Sequence, residues 1–73
     1  MHEAPSNRLS PEARRALRLV AEGLGTRAIA ERLGCDHDAV RRCLADAIRA
    51  LSARSVPDAV EVAAQRRLIE PPR

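Results

Sequence analysis

The chain has 73 residues, enough for one small domain with a modest core. It holds no aromatic residue, yet 45% of it is apolar, which excludes wholesale disorder and leaves a core of Leu, Val, Ile and Ala. The formal net charge of +3 permits an acidic partner such as nucleic acid without demanding one.

Residues 1–8 are polar and predict a flexible N-terminal arm. They carry no apolar core of the kind a secretory signal needs. A first helix follows in LSPEARRALRLVAEGLG. Ser10 is a good N-cap, Pro11 fits the first turn and Glu12 suits the positive helix end. Ala13, Ala16, Leu17, Val20 and Ala21 form one apolar stripe at helical spacing. Gly23 and Gly25 stop it. Thr26 is expected to cap a short second helix, Arg27 to Leu33, with Ala28, Ile29 and Leu33 inward. Gly34 ends that helix.

Asp36 caps a longer third helix, whose Val40, Leu44, Ala47, Ile48 and Leu51 make a regular amphipathic stripe. Its opposite face carries Asp38, Arg42, Ala45, Asp46 and Arg49, with Arg41 at the flank. Asp38–Arg42 and Arg42–Asp46 have ion-pair spacing. Ser52 to Ser55 break the helix. A fourth begins near Val56 or Pro57, where Ser55 and Asp58 can form a capping box. Its apolar face is Val60, Ala63, Ala64 and Leu68, which can pack on the domain's own core or on a second copy. Residues 71–73 are a C-terminal tail.

Every basic side chain is arginine. High-GC codon usage explains this, and so does selection for bidentate phosphate or guanine contacts. Cys35 and Cys43 stand eight positions apart, about 12 Å along a helix and too far for a disulfide. Two reduced thiols and no transmembrane-length apolar run predict a cytoplasmic protein without a membrane partner. Cys35, His37 and Cys43 lack zinc spacing, so no metal is expected. No Gly-rich phosphate loop and no nucleophile beside a base are present, so neither cofactor nor catalysis is expected.

A longer first helix followed by two helices about a tight, Gly-containing turn predicts an all-α, four-helix fold built on a helix-turn-helix. In such a unit the outward face of the third helix enters the major groove, where arginine takes guanine O6 and N7 or a phosphate.

The segment Leu9 to Ile69 resembles the DNA-binding domain of the LuxR/GerE regulators. The resemblance rests on the leading Leu9-Ser10-Pro11, on LRLVAEGL (Leu17 to Leu24), on IAERLG (Ile29 to Gly34) and on Asp58-Ala59-Val60. AIAERLGCDHDAVRRCL is also similar to region 4 of sigma factors, from which the fourth helix separates it. The resemblance implies a bacterial transcription regulator that binds double-stranded DNA as a homodimer. By position it assigns DNA contacts to Arg41, Arg42 and Ala45, with Asp38 and Arg49 on the same face. It assigns backbone contacts to Thr26 and Arg27, and dimer contacts to Val60, Ala63, Ala64 and Arg67. The chain departs from the family at Ala13, Asp38, Ala39, Cys43 and Val56, so the scaffold matches better than the contact surface. The acidic Asp36, Asp38 and Asp46 support an alternative. In it, the helix-turn-helix shape docks on another regulator, a sigma factor or a polymerase subunit.

Overall fold

The structure, a computed structural model, describes residues 9–70. The expected arm at 1–8 and tail at 71–73 lie outside the described residues. The elements are α1 (Pro11–Ala21), α2 (Thr26–Leu33), α3 (His37–Leu51) and α4 (Val56–Gln65). Among the described residues there is no strand, and the fold is all-α, as the patterning predicts.

Local chemistry starts three of the helices. The Ser10 hydroxyl accepts from the Ala13 N–H at 3.1 Å, the Asp36 carboxylate from the Ala39 N–H at 2.9 Å, and the Ser55 hydroxyl from the Asp58 N–H at 3.3 Å. Each satisfies one of the amide groups that a helix start leaves unpaired. The expected capping box at α4 is shifted by one residue. The Asp58 carboxylate reaches back to the Arg54 N–H at 2.9 Å rather than to Ser55. Helix α2 corrects the expected cap. Gly25 is the N-cap, Thr26 is already helical, and no side chain closes that end.

All four helices end the same way. The Leu24, Cys35, Ala53 and Leu68 N–H groups donate back to the carbonyls of Leu19, Ala30, Ile48 and Ala63, at 2.8 to 3.1 Å. The residue before each donor has a left-handed backbone: Gly23, Gly34, Ser52 and Arg67. This is the Schellman closure, in which the apolar donor residue also packs back on the helix end. It carries Leu68 to the core from a turn, because α4 stops at Gln65 rather than running on to Leu68.

All the buried side chains but Ala50 form two clusters. Ala16, Leu19, Ile29, Ala30 and Val40 join α1, α2 and the leading part of α3. Ala13, Leu17, Ala47, Leu51, Ala59, Val60, Ala63 and Ile69 join α1, the trailing part of α3, α4 and the segment after it. Five of these residues are alanines with no exposed surface, so the helix backbones approach closely and a chain without aromatics still fills its interior. Leu19 and Ala30 fall outside the expected stripes but are buried, because α1 and α2 press against each other there. Val20 and Ala21 are only half-buried.

Candidate nucleic-acid interface

The joint between α2 and α3 is three residues, Gly34, Cys35 and Asp36. Gly34 turns the chain with φ +72°, where a Cβ would be strained. Cys35 packs inward against the first cluster, and the Asp36 carboxylate caps α3. These three residues fix where α3 starts and which face it turns out. Val40 is fully buried against α1 and α2, which leaves Asp38, Arg41, Arg42, Ala45, Asp46 and Arg49 exposed on the other side. The structure thus brings together the outward face expected from the helical spacing.

The charge pairing on that face differs from the expectation. Arg42 bridges neither Asp38 nor Asp46. Asp46 instead pairs with Arg49 at 3.2 Å, three positions on, with both side chains more than 60% exposed. This is the single salt bridge among the described residues, and at such exposure it contributes only a few tenths of a kcal/mol. Arg41 and Arg42 have no hydrogen-bond or ion-pair partner among the described residues. Arg42, Ala45, Asp46 and Arg49 share a shallow hollow with Ser10 and Glu12 at the start of α1. The hollow therefore mixes two guanidinium groups with two carboxylates.

His37, the first residue of α3, is also exposed at the leading end of this helix. The sequence reading passes over it as a contact residue, although its place directly after the cap marks it. Thr26 is half-buried and Arg27 exposed at the start of α2. The amides there lack a side-chain cap. Uncapped amides at the positive end of a helix are ready donors to a phosphate.

Cys43 lies on the inner flank of α3, half-buried against the cluster of Ala16, Leu19, Ile29, Ala30 and Val40. Burial pushes its thiol above the ordinary value, and Cys35, Asp46 and Glu12 add to the rise, while Arg42 offsets part of it. Both cysteines are free thiols.

The four residues expected at a dimer contact differ in burial. Ala63 is fully buried and Val60 nearly so, both within the core shared with α1 and α3. Ala63 keeps no exposed surface, while the little that Val60 keeps lies in a hollow with Val20, Ala21, Pro57, Asp58 and Glu61. Ala64 is half-buried and Arg67 exposed, and both line a groove beside Arg18 and Glu22 at the end of α1.

No helix among the described residues is long and apolar enough to cross a membrane. Among the same residues, no group of three His, Cys, Asp or Glu side chains gathers as a metal site.

A supporting helix, a short helix with an open N-terminus, a three-residue turn and an arginine-bearing third helix define a helix-turn-helix DNA-binding domain. The profile of the homeodomain-like domain matches residues 10–47, just over half of the chain. The chain belongs to that family. The match begins at the cap of α1 and ends inside α3, so α4 lies beyond it. No curated protein and no solved structure gives a significant match.

Proposed function

We propose that this chain is the DNA-binding domain of a bacterial transcription regulator of the LuxR/GerE type, acting in the cytoplasm. In this reading α3 lies in the major groove. Arg41 and Arg42 contact guanine edges or flanking phosphates, Ala45 meets a base by van der Waals contact, and Asp38 and Arg49 border them. Thr26, Arg27 and the open amides of α2 hold the backbone.

The observation that carries the reading is the pair Arg41 and Arg42. They are exposed and have no partner among the described residues, on the outer face of the third helix of a helix-turn-helix. An arginine without an intramolecular bridge keeps its whole donor fork for a ligand. The fourth helix, which the matched family segment does not include, supports the narrower LuxR/GerE assignment. Dimerisation follows from that assignment. It uses the outer side of α4 and the turn after it, with Ala64 and Arg67 as contacts.

The test is fluorescence anisotropy on duplexes selected by the purified protein from genomic fragments, repeated across a salt series. Each guanine contact is worth about 1–3 kcal/mol, so Arg41→Ala/Arg42→Ala weakens the selected complex by at least about thirtyfold. Where the lost contacts are to phosphates, the salt slope falls by about 0.9 for each. Unchanged binding by the double variant would remove the site assignment. Weak binding with a flat salt response by the parent protein would remove DNA as the partner. The mixed-charge hollow at Glu12, Arg42, Asp46 and Arg49 would then favour docking on a protein of the transcription machinery.

A further inference from the structure

We infer that Asp38 is a base-reading residue that selects cytosine one or two base pairs from the guanines taken by Arg41 and Arg42. The inference rests on the DNA-binding reading above and names the sequence class of its target.

The chain has four aspartates, and three are occupied inside the described fold. Asp36 caps α3, Asp46 pairs with Arg49, and Asp58 accepts from the Arg54 amide. Asp38 has no partner among the described residues. It is exposed at the second residue of α3, one turn ahead of two arginines that it does not bridge. That end of a recognition helix goes deepest into the groove. A carboxylate there is repelled by phosphates, so its favourable contact must be a hydrogen-bond donor on the groove floor.

An ionised carboxylate only accepts hydrogen bonds. The major groove offers two base donors, cytosine N4 and adenine N6. Adenine sets its N7 acceptor beside N6, which faces the second carboxylate oxygen with like charge. Guanine offers only acceptors, and thymine offers an acceptor and a methyl group. Cytosine alone presents a donor with no acceptor beside it on the same base, its outer neighbour being the C5–H edge. Asp38 therefore discriminates by exclusion of three bases as much as by attraction to one. Arg41 and Arg42 lie three and four residues further along α3, about 4.5–6 Å at 1.5 Å per residue. That span covers one or two base-pair steps of about 3.4 Å. The target is a G·C-rich half-site.

Asp38 also sits in the first turn of α3, where a negative charge favours the helix dipole. Base preference separates the two roles, since a dipole effect changes affinity for all sequences alike. The experiment is in vitro selection from a randomised duplex library with the parent protein, Asp38→Ala and Asp38→Asn. Circular dichroism confirms the helix content of each protein. The parent motif is expected to hold a cytosine beside its guanines. Asp38→Ala keeps the guanines but loses about fivefold of the preference at that cytosine, the low end of the range for base-edge contacts. Asp38→Asn moves that position to adenine, because an amide pairs with N6 and N7 together. The same motif from all three proteins overturns the inference and leaves DNA binding standing. No motif from any of them overturns both.

Discussion

Helix α3 is held between two left-handed residues, Gly34 before it and Ser52 after it, and exchanging glycine at these positions tests whether the turns are conformationally determined. Gly34 has φ +72° and open space where a Cβ would project, so Gly34→Ala meets no steric neighbour. Its effect is purely conformational. A left-handed residue bearing a Cβ costs about 1–2 kcal/mol, and the reduced freedom of the unfolded chain returns about 0.5–1 kcal/mol. The net expectation is a loss of about 1 kcal/mol. Ser52 sits at φ +55° with the same Schellman closure, so Ser52→Gly should gain about 0.5–1 kcal/mol by the reverse argument. For a domain of this size each kcal/mol moves Tm by about 4–8 °C. The chain lacks aromatic residues, so the readout is far-ultraviolet circular dichroism during thermal and urea unfolding rather than fluorescence. Opposite shifts of the two variants support the reasoning. A neutral Gly34→Ala, or a destabilised Ser52→Gly, would show that packing around the turns outweighs their backbone geometry.

Leu17 is fully buried in the cluster shared by α1, α3 and α4, so Leu17→Ala should cost about 2–5 kcal/mol and leave a 73-residue domain largely unfolded at room temperature. Urea titration gives the value, and a loss below about 1 kcal/mol would mean that the site collapses around the gap. Asp46→Asn removes a carboxylate from the side of α3 proposed to face DNA and releases Arg49, so DNA affinity should rise about two- to fivefold at low salt. Anisotropy checks this, and weaker binding would show that the pair holds Arg49 in a useful pose. The Cys43 thiol is raised by burial and neighbouring acidic groups, so less of it is thiolate at any given pH than in a free thiol. Alkylation followed by mass spectrometry should be slower at Cys43 than at a small-molecule thiol near neutral pH, with its rise displaced to higher pH; equal rates would contradict the burial.

Helix positions were legible because their signals are local. Ser10, Asp36 and Ser55 cap through bonds spanning three residues, and Gly34 supplies a backbone that other residues reach at a cost. The outward face of α3 was equally legible, since one buried stripe fixes the opposite side. Other features depend on differences too small or too distant for sequence spacing to decide. A threonine is a common cap, yet at α2 Gly25 takes the role one residue earlier. Arg42 has two aspartates at suitable spacing, but exposed pairs differ by only tenths of a kcal/mol, and Asp46 instead pairs with Arg49. Leu19 falls outside the α1 stripe because that helix packs against partners on two sides, which widens its buried arc. Val60 and Ala63 look the same in sequence whether they face their own core or a second subunit.

The division of the core explains what α4 contributes to a helix-turn-helix. The family segment, residues 10–47, contains one cluster entire: Ala16, Leu19, Ile29, Ala30 and Val40. It holds only part of the other. Ala13, Leu17 and Ala47 fall inside it, while Leu51, Ala59, Val60, Ala63 and Ile69 lie beyond. A segment of that length is near the limit at which a chain folds without a disulfide, a metal or a partner. Here the partner surface comes from the same chain, because α4 and the turn after it cover the face that α1 and the trailing part of α3 would otherwise expose. The inner side of α4 is therefore committed to folding, which leaves only its outer side for a second copy. In the proposed dimer, changes at Ala64 and Arg67 would then alter association without unfolding the domain, whereas changes at Val60 and Ala63 would destabilise the fold itself.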